Sequence, residues 1–361
     1  MNAASLAGAL TVLVVGGLSC VAPAIARPEV QFGVRIPRER LGAPVIRRER
    51  RVYYWRTSAV AVGCTAVAVA VAGYGPPWLT RIVLLPEMAA DFGCFWAARR
   101  KIAAVKTADN WFAGLRQTIV ADTSWRTDPP RFPVRWLIPA LAVVAATVAV
   151  GALRYPGLPA HIGTGSAHRL SKAAGSVLVV AGQVYITALC TGLMLVVYRS
   201  RPDIEAADAA ASTLRYRRFL AAYTRAVLTL AALADITLLL VGLREWHVFA
   251  PSGAGPALLA LPIVAGVLLL AAVALRTGQG GSKLIGNVRG IGRATGCDRD
   301  DDRFWKAGLF YVNHDDPSVM AASRFGAGWT LNLGNPSAWV IIGGILAAWA
   351  GLIAIGVLAG V

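Results

Sequence analysis

VLVVAGQVYITALCTGLMLVV, residues 177–197, carries no charged residue. It is long enough to cross a hydrocarbon core as one helix, which takes roughly 20 apolar residues. ALLALPIVAGVLLLAAVAL, residues 257–275, repeats the pattern. Outward from these two, apolar runs at 3–26, 58–74, 78–96, 136–153, 174–197, 221–243, 257–275 and 338–361 predict an all-α polytopic membrane protein of about eight transmembrane helices. The run at 58–74 ends in Gly75-Pro76-Pro77, which predicts a tight hairpin into the third span. The 56% hydrophobic content and mean hydropathy of +0.57 exclude a soluble domain, whose surface needs more polar cover than 15% charged residues supply.

The net charge of +17 points to orientation and not to nucleic acid, because the basic residues flank the apolar runs instead of forming one patch. Alternating the spans puts 31 of the 36 Lys and Arg on one side. By the positive-inside rule that side is cytoplasmic and both termini face out. The run at 3–26 ends in a small-x-small imitation of a cleavage site, Ala24-Ile25-Ala26. No Lys or Arg precedes it and nine arginines follow between Arg27 and Arg56, the charge order of a retained helix. Five cysteines show neither paired nor metal-ligand spacing. The expected organisation is a bundle over 1–275 with an outer loop at 154–173, a small cytoplasmic cap over 276–336, and a last transmembrane helix over 337–361.

Two stretches in the loops, Phe32-Gly33-Val34-Arg35-Ile36-Pro37 and Tyr155-Pro156-Gly157-Leu158-Pro159, resemble the SdpI-type family of bacterial membrane immunity and signalling proteins. The second is followed by His161 and Lys172, in a loop shorter than the family's and without its Pro-x-His step. A third stretch runs from Asp302-Arg303-Phe304-Trp305 through Tyr311, Asn313, Asp316 and Pro317 to Arg324, Gly328, Trp329 and Asn332. It resembles a domain of unknown function that closes many multi-pass bacterial proteins of this type. The resemblance implies immunity to a membrane-active agent, or its sensing and relay to a cytoplasmic transcriptional regulator. Its implied partners are the bilayer, an extracellular peptide and that regulator, with no direct nucleic-acid contact, no cofactor and no enzyme activity.

Three acidic residues fall inside predicted spans, Glu87, Asp91 and Asp235. A carboxylate at mid-bilayer costs several kcal/mol unless paired, hydrated or protonated. Glu87 and Asp91, four apart, share a helix face, so an ion-coupled transporter with Asp235 completing the site is the competing expectation. The structural alternative is an acid bonded to Thr, Gln183 or Tyr185 on a neighbouring helix. His161, His168 and His247 lie in outer loops without a recognised zinc spacing. Asp298-x-Asp300-x-Asp302 opens like a calcium loop, but Arg303 and Leu309 replace the Gly and Glu that such a loop needs, and helix capping by solvated carboxylates is expected instead. Gly278-Gln279-Gly280-Gly281-Ser282-Lys283 lacks the order of a phosphate loop and is expected to be a flexible helix exit. The cluster Arg47-Arg48-Glu49-Arg50-Arg51 with Tyr53-Tyr54-Trp55 suits anionic-lipid anchoring.

Overall fold

A computed structural model describes residues 3–74, 77–112, 128–162, 170–200, 209–249, 258–284 and 301–358. Among these residues, seven helices are long and apolar enough to cross a membrane. The helices are α1 (Ala3–Ile25), α2 (Pro44–Tyr74), α3 (Pro77–Ile82), α4 (Leu84–Ala108), α5 (Ile138–Arg154), α6 (Lys172–Arg199), α7 (Ala209–Glu245), α8 (Leu261–Thr277) and α9 (Pro336–Leu358). Pro44 opens α2 where its missing N–H costs nothing, so the basic cluster Arg47–Arg51 is helical and continuous with the span.

The expected uninterrupted third span is broken. Helix α3 stops at Ile82 and α4 starts at Leu84. Pro86 has no N–H to give the carbonyl of Ile82, and its ring would collide with that carbonyl in a straight helix. Val83 takes the turn, and Glu87 resumes the ladder by donating its amide to the Val83 carbonyl at 3.3 Å.

Short antiparallel pairs connect the helices: β1 (Val30–Gln31) with β2 (Val34–Arg35), β3 (His161–Ile162) with β4 (Leu170–Ser171), β5 (Trp305–Lys306) with β6 (Phe310–Tyr311), and β7 (Met320–Ala322) with β8 (Trp329–Leu331). The chain forms two compact units. One comprises Met1–Arg131, Val197–Ala222 and Ala271–Ala338, and the other Phe132–Val196, Tyr223–Leu270 and Trp339–Val361. Most of the segment read as a small cap over 276–336 shares a unit with α1–α4. The reason is a common core: Phe32, Tyr53, Phe95, Ile102 and Trp111 are buried together, with Phe325 from the C-terminal segment packed against them. In the second unit Leu158 and Ile162, between α5 and α6, pack on Trp246 at the end of α7.

Candidate functional site

The β1–β2 hairpin turns on Phe32 and Gly33, both at positive φ (49° and 72°), the pattern of a two-residue type I′ turn. Phe32 accepts a left-handed backbone that a bulky residue seldom adopts, and its ring is buried 5.0 Å from Tyr53 and 6.3 Å from Phe325. The turn leaves the Gly33 carbonyl pointing at two guanidinium groups. Arg99 of α4 donates to it at 2.8 Å and Arg324 at 3.0 Å.

Arg324 is only 4% exposed, so its charge requires a partner. Asp302 supplies one. Its Oδ1 accepts from Arg324 and, at 3.3 Å, from the Arg35 amide, while its Oδ2 accepts from Lys106 at 2.6 Å. Burial by itself would raise the Asp302 carboxyl, but the adjacent Arg324 and Lys106 charges outweigh it and hold the group below its ordinary value. The Arg324 guanidinium also lies 4.7 Å above the Trp305 ring, a cation–π contact. The expectation of solvated capping carboxylates holds for Asp301, which accepts from the Arg303 amide. It fails for Asp302, which faces inward onto two cations. Asp298 and Asp300 lie outside the described residues.

The remaining C-terminal residues build the support of this joint. Asn332 is fully buried; its amide nitrogen reaches the carbonyls of Asn313, Asp316 and Ser318, and its oxygen accepts from the amides of Asn313 and Gly334. Tyr311 donates to Asp316 and accepts from Asn313. Asn335 donates to the Pro317 carbonyl. Trp305, Tyr311 and Ala321 form a small core, whereas Phe310, on the opposite face of the same strand, is 52% exposed. The five aromatics of this segment divide: Trp305 and Tyr311 lie in this small core, Phe325 packs on the core of the first unit, Trp329 docks elsewhere, and strand alternation leaves Phe310 outside.

Gly326 and Gly328 turn the β7–β8 hairpin at positive φ. Trp329 then stacks 5.6 Å from Phe219 of α7 and donates to the Tyr216 hydroxyl at 3.1 Å. Gln279 was not singled out by the sequence. It is buried, donates to the Gly328 carbonyl at 2.6 Å and accepts from the Gly328 amide at 2.8 Å. The Gly-rich exit from α8 is thus a built clasp and not a flexible tether. A Cβ on Gly281 would lie 2.6 Å from the Arg215 carbonyl, so only glycine allows that approach. Replacing Trp329 by Ala is expected to cost about 2–3 kcal/mol, below a fully buried Trp because the residue is only partly buried. Limited proteolysis of the detergent-solubilised protein should cut 278–336 faster in that variant. Cleavage at the wild-type rate would show that the ring anchors nothing.

One family model matches within this region. It is a family of unknown function (DUF5808), over residues 314–339. No curated protein and no solved structure matches the chain. The matched stretch holds Asp316, Pro317, Arg324, Gly328, Trp329 and Asn332 and stops short of Asp302, the carboxylate that receives Arg324.

In the second unit, Tyr155-Pro156-Gly157 forms a 3-10 turn after α5, and β3 pairs with β4 before α6. Lys172 lies 4.7 Å above the Tyr155 ring, and its amide donates to the Ala160 carbonyl at 2.9 Å. Pro159 lies between the buried Leu158 and β3. His161 and His247 are exposed, His168 lies outside the described residues, and no metal-ligand cluster occurs among the described residues.

The three acids singled out in the sequence differ in their surroundings. Asp235 accepts from Thr187 at 2.7 Å, while Gln183 donates to the Asp235 carbonyl at 2.9 Å and to Thr147 at 2.8 Å. This is the helix-to-helix polar bonding anticipated as the structural alternative. Tyr185 instead donates to the Ile345 carbonyl. Glu87 and Asp91 belong to the first unit and Asp235 to the second. Glu87 is fully buried and neither carboxyl oxygen has a hydrogen-bond partner among the described residues. A Cβ on Gly16 of α1 would meet its Oε1 at 2.7 Å, while Ser19 is the hydroxyl that approaches Asp91.

Proposed function

We propose that this chain is a non-enzymatic, multi-pass membrane protein that senses, or confers immunity to, an extracellular membrane-active agent and relays to a cytoplasmic regulator. Support comes first from the Asp302 joint, which ties the C-terminal segment to the first basic loop and to the end of α4. A segment held this way changes when the helices beneath it move. In this proposal α3 and α4 together make an eighth crossing, the basic side is cytoplasmic, and the exposed face of the C-terminal segment meets the regulator. Capture of a cytoplasmic partner by the membrane-embedded protein, compared with an Asp302→Asn variant of equal abundance, tests it. Loss of capture in the variant is the expected result. Equal capture by both would remove the joint from the relay.

A second reading, an ion- or proton-coupled transporter, is favoured by one observation: Glu87 is buried with no hydrogen-bond partner among the described residues. Glu87→Gln removes the charge and keeps hydrogen bonding. If this reading holds, the variant reaches the membrane normally and loses solute-coupled flux in proteoliposomes. Wild-type protein that carries no flux would end it.

A further inference from the structure

We infer that the cleft beside the Tyr155–Lys172 pair binds one anionic phospholipid, with an acyl chain between α5 and α6 and the headgroup phosphate at Lys172. The cleft has a volume of about 620 Å³, and its walls include Val148, Ala152, Val177, Val180 and Val184. That volume falls within the roughly 300–1,000 Å³ of small-molecule sites. It runs from Thr147 on α5 to Tyr155 just past its end, and along α6 from Ala173 to Val184. At 1.5 Å per helical residue these runs are about 12 and 16 Å long, close to half of a hydrocarbon core of roughly 30 Å. The depth therefore suits one chain of one leaflet better than a transmembrane partner helix.

The mouth supplies the charge. Lys172 opens α6 with its ammonium over the Tyr155 ring, and Arg154 ends α5 exposed beside Tyr155. Both cations stand at the end of the cleft where a headgroup would lie.

Native mass spectrometry of the full-length protein, titrated with phosphatidylglycerol and with phosphatidylcholine of identical chains, tests the assignment. Wild-type protein is expected to hold one phosphatidylglycerol about five-fold more tightly than phosphatidylcholine, the preference a single lysine at an anionic headgroup confers. Lys172→Gln should abolish that preference. Ala152→Phe, which fills the cleft from an exposed wall position, should abolish retention of both lipids, and glycerol phosphate without chains should not compete. Equal affinity of the wild type for the two lipids, competition by glycerol phosphate, or undiminished phosphatidylglycerol binding by Ala152→Phe would overturn it.

Discussion

Asp302→Asn is expected to release the C-terminal segment from the first loop and from α4. The substitution leaves Arg324, Lys106 and Arg99 close together around one neutral amide, with Arg324 almost fully buried. Truncating one member of a buried ion pair costs about 3 kcal/mol or more, because the remaining charge stays desolvated and unpaired. That cost corresponds to a rise of about 100-fold in the open fraction of the segment. Protease sensitivity across 301–335 measures it directly. Titration of the same carboxyl gives a second route to the same state. The Asp302 carboxyl is held below its ordinary value in the folded protein, so its contribution is complete above the unfolded value of about 4. It is lost as pH falls from there through the lower folded value. Attachment should be constant between about pH 5 and 8 and weaken below about pH 4 in the wild type, with Asp302→Asn lacking that acid-dependent step.

Gly33→Val is expected to be comparably damaging for a different reason. Gly33 adopts φ +72°, and a Cβ there would fall within the radius of the Gly308 carbonyl oxygen, a backbone atom that cannot swing away. A Cβ on Gly308 would in turn meet the Arg99 guanidinium, so that group borders the contact on its other side. The backbone strain alone costs about 1–3 kcal/mol, and the clash adds to it. Gly42→Val is the matched control, because nothing lies within 4 Å of that position and its φ is not positive. Thermal unfolding in detergent should show a clear drop for Gly33→Val and almost none for Gly42→Val. Equal drops would mean the hairpin apex is not the contact described.

Much of this architecture was legible in residue order. Apolar runs of the right length gave the membrane class, because hydrophobic length is a local property that a window of about 20 residues captures. The break at Val83 was also written in the sequence, as Pro86, but a hydropathy window averages over a single missing N–H. The joint was legible only as fragments. Gly33, Arg35, Asp302 and Arg324 each stood in a stretch that carried a family resemblance, yet 267 residues separate Arg35 from Asp302. No periodicity reports a pairing at that separation. Asp302 looked like one of several exposed acids in Asp298-x-Asp300-x-Asp302, and only its two cationic neighbours distinguish it. Gln279 was hidden for a similar reason: a polar residue among glycines reads as loop until Gly328 is found against it. Conversely, the sequence grouped Glu87, Asp91 and Asp235 as one expense, whereas Asp235 has Thr187 and Glu87 has no hydrogen-bond partner among the described residues.

Hydrogen exchange of the membrane-embedded protein at neutral pH tests the joint most directly, by comparing wild type with Asp302→Asn over residues 30–36 and 301–335. Two segments joined through one carboxylate should both be protected in the wild type and should lose protection together in the variant. Protection lost in 301–335 while 30–36 exchanges as before would contradict a shared joint, and rapid exchange of 301–335 in the wild type would contradict a docked segment altogether.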